Sequence, residues 1–445
     1  MKIAKTALLA VCVALASPGC TAWKGRGGAA SPSAPASPSA SASPSAVPPS
    51  PSASSPSASA GPSGTATAPP ASPAPSEPAD PVREQIGRMS LEEKIGQMLL
   101  AGFSGTSLSP EARRMIAEDR IGGVILYADN FGSLKTSVSL INALKKANRN
   151  NPAPLLLSVD QEGGKVNRLP KNDFAAIPSA ATVGKTGNPA LAAEMGRLLA
   201  RELKSVGLNT DFAPVLDVNS NPDNPVIGTR AFGSTAGAVK QFGIAAMNGI
   251  RKEGVISVVK HFPGHGDTSV DSHLDLPVVD KTPEQLAKLE WIPFREAIRQ
   301  QADAIMVAHI LFPQIDSRAP ASFSAKIVGE ELRGQFGYKG VVITDDMNMG
   351  AIAKHYDIAQ AAVDAVKAGV DILLVAHGAD TEKKVRAALL NSVRSGTLTT
   401  QRIDESVYRI LSLKRKYKLT DDAVPVPDLT GLNRSIRDWL DNVAK

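Results

Sequence analysis

Residues 255–277 read VISVVKHFPGHGDTSVDSHLDLP. The opening run, Val255 to Val259, is largely apolar and β-branched, the composition of a strand buried on both faces. It leads into Lys260, three histidines (His261, His265, His273) and three aspartates (Asp267, Asp271, Asp275). Pro263, Gly264, Gly266 and Pro277 disfavour a helix there. The stretch therefore predicts a buried strand that delivers a loop of groups suited to moving protons or binding a polar ligand.

Working outward, the same rhythm recurs. Short apolar runs at Gln97–Phe103, Gly123–Tyr127, Leu155–Asp160, Leu208–Asp217, Val255–His261, Ala304–His309, Gly340–Asp345 and Ile372–His377 predict eight strands. Between them, segments such as Ala190–Val206, Ala236–Glu253, Thr282–Gln301 and Ile358–Ala368 repeat their apolar residues at helical spacing. Apolar strands joined by helices imply a parallel sheet covered on its outer face. Eight such units over residues 82–420 predict an α/β fold, a (β/α)8 TIM-type barrel. An open doubly wound sheet would carry a GxGxxG turn after its first strand, and none is present.

The barrel reading gives the strand ends a meaning, because catalytic groups in such barrels sit at the C-terminal ends of strands. Here those ends carry Asp160, Asp217, Lys260 with His261, His309, Asp345 with Asp346, and His377. Of the six histidines, only His355 lies apart from these ends and the loop of the opening stretch.

Composition limits the alternatives. The 445-residue chain carries a formal charge of +6, with no Lys/Arg-rich run and 4% aromatics, which argues against a nucleic-acid partner. Met1–Lys5 is basic, Thr6–Ala16 is apolar and small residues follow, so residues 1–20 read as an export signal. Cys20 stands where a lipoprotein signal is cleaved and lipidated, although Ser17 occupies a position that is usually aliphatic. Residues 21–81, rich in Pro, Ser and Ala, hold too little apolar surface to offset ordering entropy and read as a disordered tether. The expected location is extracytoplasmic, at the cell surface, on a lipid anchor in the membrane. Cys12 and Cys20 are the only cysteines, so the folded part has no disulfide and no cysteine-ligated metal.

Two chemistries fit the polar strand ends. His261, His265, His273 and the aspartates are Zn²⁺-ligand types. Against a metal, the first strand lacks a His-x-His pair, and Lys260 would set a positive charge beside the ion. The second reading needs neither metal nor cofactor. Asp271 and His273, one residue apart, can hydrogen-bond, so that the carboxylate fixes the imidazole tautomer and the other nitrogen exchanges a proton. Asp345, at a strand end, can attack an electrophilic carbon, and Asp346 is expected to cap the following helix. Asp160, Arg168, Arg230, Lys260 and His261 are the residue types that hold sugar hydroxyls. The Asp271–His273 pair also has a structural reading as a loop brace, and each arginine as a surface ion pair.

KHFPGHGDTSVDSH, with VDQEGGKVNRL, NPVIGTRAFG and VITDDMNM, resembles glycoside hydrolase family 3, in its β-N-acetylglucosaminidase (NagZ-like) branch. The resemblance covers about residues 85–420. It implies a retaining exo-enzyme that removes terminal N-acetylglucosamine from muropeptides, the peptidoglycan fragments, or from related glycans. It also implies Asp345 as nucleophile and His273, paired with Asp271, as acid/base in place of a second carboxylate. Asp160, Arg168, Arg230, Lys260 and His261 fall on the family's sugar-contacting positions. The catalytic loop is expected to move about Gly264 and Gly266. Lys165 stands where many members have arginine. Residues 421–445 are too few for a second α/β domain and are expected to form a closing helix in which Trp439 and Leu440 pack on the barrel. That arrangement favours N-acetylglucosamine over glucose. A monomer is expected. Phosphorolysis, β-glucosidase activity and a non-catalytic glycan-binding lipoprotein are the alternative readings.

Overall fold

The structure is a computed structural model that describes residues 80–445. The export signal, Cys20 and almost all of the tether lie outside the described residues.

Eight parallel strands form one sheet: β1 (Leu99–Gly102), β2 (Gly123–Leu126), β3 (Leu156–Val159), β4 (Thr210–Asp211), β5 (Ile256–Phe262), β6 (Ala304–Val307), β7 (Val341–Thr344) and β8 (Leu373–Val375). Neighbours in sequence are neighbours in space, and β1 pairs with β8. Between β7 and β8 the ladder shrinks to an isolated bridge at Ile343 and Ile372, reinforced by a 3.0 Å bond from Leu374 N–H to the Thr344 hydroxyl. Every strand residue is buried. Side chains such as Leu100, Ile125, Val258, Ile305 and Leu373 fill the barrel or pack beneath the surrounding helices.

The eight apolar runs all become strands, most of them shorter than expected, while β5 runs on to Phe262. The fourth is reduced most: Leu208–Asp217 contains Pro214, which offers no N–H to a ladder, and regular pairing stops after Asp211. Contact resumes in a single bridge between Val215 and Lys260, so the chain still reaches Asp217 beside β5.

Helices cover the outside, among them Pro189–Val206, Ala236–Lys252 and Ile358–Ala368. Their starts follow local chemistry. Asn188 accepts from Ala190 N–H and is followed by Pro189 in the first turn, while Gly207 ends that helix at φ +93°. The N-terminal face is covered by the helix Thr400–Lys416. From it Arg402, Ser406 and Arg409 converge with Arg333 on the buried Asp371 carboxylate, just ahead of β8. The last helix, Thr430–Val443, lies against Pro189–Val206, burying Ile436 and Trp439. Trp439 Nε1 donates to Leu191 O at 3.1 Å, and Leu440 is half-buried against the core. No described helix is long and apolar enough to cross a membrane.

Candidate active site

At the C-terminal end of the barrel lies a pocket of about 300 Å³. Asp160, Arg168, Arg230, Lys260, His261, Asp271, His273 and Asp345 all line it. These are the catalytic and sugar-contacting candidates of the sequence, gathered in one place, while Asp217, Asp267, Asp275 and His309 do not line it.

Its β3–β5 wall is a network of charge-assisted bonds. Lys260, at the end of β5 and almost fully buried, places Nζ 2.5 Å from Asp160 Oδ1 and 2.7 Å from Glu162 Oε1. Arg230, on the loop after β4, grips Glu162 with both Nε (2.8 Å) and Nη2 (2.6 Å). Burial pushes the Glu162 carboxyl up, but the charges of Arg230 and Lys260 more than offset it and hold it well below the usual range. Glu162 thus fixes the two cations from behind. Its partners are distant in sequence, so the stretch VDQEGGKVNRL alone gives it no role. Arg168 has a buried Nε with no hydrogen-bond partner among the described residues. Its N–H is anchored by Gln161 Oε1 at 2.9 Å.

His261 is oriented by Asp217. Its Nδ1 lies 2.6 Å from Asp217 Oδ2, and its N–H donates to Asp217 Oδ1 at 3.2 Å. That same oxygen accepts from His265 N–H at 2.7 Å. His265 is fully enclosed, between the Thr268 hydroxyl at 2.8 Å and the Ser272 hydroxyl at 3.0 Å. Burial and the neighbouring His261 lower its pKa to about 4, so it is neutral. It braces the loop.

Asp345 follows β7, tied by its N–H to Val307 O at 3.0 Å. Burial raises its carboxyl pKa, but the imidazoles of His261 and His309 and the Asp346 N–H (2.9 Å to Oδ1) outweigh burial and leave it lowered. An ionised carboxylate at a barrel mouth is the required state for a nucleophile. Asp346 does not cap a helix, because the next helix starts only at Gly350. It closes a turn on Asn348 N–H (3.0 Å), accepts from Ala376 N–H (2.9 Å) and pairs with His377 Nδ1 at 3.1 Å. That bond raises the His377 pKa. The His377 ring stacks on Tyr127 with centroids 5.2 Å apart, forming the wall opposite Lys260.

Asp271 and His273 stand on the exposed loop after β5. His273 Nδ1 lies 2.7 Å from Asp271 Oδ1, which also accepts His273 N–H at 2.9 Å. Burial raises the Asp271 pKa, but the two His273 hydrogen bonds together outweigh it and the net direction is down. Nδ1 is thereby committed to the carboxylate, which leaves Nε2 for proton exchange. The two glycines read as hinges are both closely packed. A Cβ on Gly266 would lie 1.8 Å from Val218 O, and one on Gly264 2.7 Å from Glu290 Cβ. Close approach is therefore sufficient reason for glycine at both positions.

Comparison with known proteins gives a consistent picture. Residues 90–413 match the model of the glycosyl hydrolase family 3 N-terminal domain. A β-hexosaminidase A from Pseudoalteromonas piscicida is 34% identical over 75% of this chain, which spans 59% of that enzyme's length. A β-hexosaminidase from Idiomarina loihiensis is 37% identical, over 63% of this chain and 83% of its own. Among solved structures, a family 3 β-N-acetylglucosaminidase from Paenibacillus sp. str. FPU-7 superposes with a TM-score of 0.75 at 41% identity, covering 79% of this chain and 68% of that one.

Proposed function

We propose, from the premise that the chain belongs to glycosyl hydrolase family 3, that it is a retaining exo-β-N-acetylhexosaminidase. Its substrates would be peptidoglycan fragments or related glycans, from which it removes terminal N-acetylglucosamine. The carrying observation is that one pocket gathers a carboxylate with lowered pKa, a carboxylate-backed imidazole and a wall of paired lysine, arginine and carboxylate groups. Its volume of about 300 Å³ stands at the small end of ligand sites, which suits one sugar ring better than a long chain.

In this reading Asp160, Arg168, Arg230, Lys260 and His261 hold the sugar's hydroxyl and acetamido groups. Asp345 attacks the anomeric carbon as the bond to the leaving oxygen breaks, and His273 Nε2 supplies that oxygen's proton. Asp271 stabilises the imidazolium beforehand and the tautomer afterwards. Water then gives a proton back to His273 and attacks the anomeric carbon, freeing Asp345. Two inversions retain the β configuration. The enzyme would act as a monomer without metal or cofactor, so activity should survive strong chelators.

The test is hydrolysis of a chromogenic N-acetylglucosaminide. Asp345→Ala should lose about a thousandfold or more in kcat. His273→Ala should lose roughly 10²–10⁴-fold on substrates with poor leaving groups and far less on activated aryl substrates. Full activity in Asp345→Ala would overturn the mechanism. Products should be free N-acetylglucosamine with or without inorganic phosphate; accumulation of the sugar 1-phosphate would make it a phosphorylase.

The basic, apolar and small-residue order of Met1–Cys20 supports export and lipidation at Cys20, with the Pro/Ser/Ala segment as a tether. Labelling with a fatty-acid probe should mark the wild type and not Cys20→Ser.

A further inference from the structure

The loop that carries Asp271 and His273 has few apolar anchors. Val270, Leu274 and Val278 are three of the four exposed large apolar side chains among the described residues. Its placement therefore depends on polar tethers. Buried Ser272 holds its inner side through His265, and Pro277 and Val279 fasten its exit to Leu311. Its start is held by Asn221 and Asn224, whose Nδ2 atoms donate to Thr268 O at 3.1 Å and to the Thr268 hydroxyl at 3.2 Å, and its middle is tied to the segment that continues from Asp345. Gly350 N–H donates to His273 O and Ala351 N–H to Ser272 O, both at 3.1 Å. His355 Nε2 lies 2.5 Å from Asp275 Oδ1. Among the described residues this is the one side-chain bond between the two segments.

We propose that His355 is a positioning residue: through Asp275 it latches the loop of His273 onto the segment of Asp345, and so sets the distance between proton donor and nucleophile. The catalytic part of this inference rests on the roles given to His273 and Asp345 above; the latching of the loop does not. A proton donor must come within hydrogen-bond reach of the leaving oxygen, and a misplacement of about 1 Å can cost on the order of a hundredfold in rate. Asp275 and His355 are 54% and 40% exposed as side chains. An ion pair that open adds little to global stability. What it biases is a local equilibrium between docked and undocked loop. His355 is also the histidine that the barrel's polar strand ends leave unexplained, and this contact gives it a task.

The experiment has two readouts, on His355→Ala, Asp275→Asn and the exchanged pair His355→Asp with Asp275→His. Hydrogen exchange followed by mass spectrometry should show peptides spanning 268–276 and 349–352 exchanging at least about threefold faster in both single variants. Global melting should stay unchanged, and the exchanged pair should return toward wild-type protection. On N-acetylglucosaminides of one glycon, kcat/KM should fall at least about tenfold for a sugar or alkyl leaving group and less than about twofold for an activated aryl group. Unchanged exchange in His355→Ala would overturn the latch. Equal losses on both substrate types would overturn its link to proton donation. A wild-type enzyme inert toward all N-acetylglucosaminides, with exchange nonetheless raised in the variants, would refute the proposed function and leave the latch standing.

Discussion

Glu162 shows how a buried charge can serve a site without touching substrate. Its two oxygens join Arg230 and Lys260, and all three groups are largely enclosed. Glu162→Gln would leave Arg230 without its carboxylate partner and Lys260 with Asp160 alone. We expect it to destabilise the fold by about 3–5 kcal/mol and to raise KM well before any effect on the Asp345 step, as read from urea unfolding and steady-state kinetics. A second buried carboxyl has the opposite character. Glu202 accepts from Gln161 Nε2 at 2.8 Å, and burial raises its pKa to about 8. In the unfolded chain it titrates near the ordinary glutamate value of 4.5, so the native state binds a proton that the unfolded state releases. Its contribution is unimpaired below that value and worsens as pH rises toward 8. Glu202→Gln should therefore be neutral at pH 4 and stabilising by about 3 kcal/mol at pH 7. Matched melts across pH measure this. Gln161 would keep its partner and, through it, the anchor on Arg168.

At the scale of elements, the loop after β5 and the segment after β7 meet at Gly350, where a Cβ would lie 2.5 Å from Leu274 O and 2.7 Å from His273 O. Gly350→Ala should push the loop outward. The expected result is a loss of about tenfold or more on poor leaving groups with little change in melting temperature, measured on the paired substrates. The strands themselves were legible because buried parallel strands read as continuous apolar runs. Their exact ends were not, because pairing depends on neighbours: Pro214 halts β4 for a local reason, but the bridge from Val215 to Lys260 depends on β5. The site was legible where chemistry sits beside itself in sequence, as in Asp271 and His273. It was illegible where a group's partner arrives from another strand. Asp346 looks locally like a helix cap, and only the arrival of Ala376 and His377 from β8 reveals its actual partners. Glu162 and Asp217 were hidden in the same way.

For the whole molecule, the two ends of the barrel have separate duties. The C-terminal end carries the pocket, while the N-terminal end is locked around Asp371, whose oxygens take Arg333 (2.5 Å), Arg409 (3.0 Å) and Ser406 (2.8 Å). The same carboxylate accepts from Val342 N–H at 3.1 Å, at the seam where the β7–β8 ladder is thinnest. Burial raises its pKa, and the three arginines bring it down to a net lowered value. Asp371→Asn should therefore cost about 3–5 kcal/mol of stability while leaving KM and the leaving-group dependence of the folded fraction unchanged. A variant that instead altered KM would show that the two ends are coupled.

The charge inventory of the pocket has a pharmacological corollary. Asp160, Asp271, Asp345 and Asp346 line it against Lys165, Arg168, Arg230 and Lys260, and Glu162 and Asp217 stand directly behind. Leaving the histidines aside, these groups sum to two negative charges, and Arg230 and Lys260 are already paired with Glu162 and Asp160 along the β3–β5 wall. The face around Asp345 is thus the electronegative one. Ring-shaped amines that carry their positive charge at the anomeric position should be held there more firmly than uncharged carbocycles of the same shape, by about tenfold or more. That advantage should fade once the pH passes the amine's own pKa, and should vanish in Asp345→Asn.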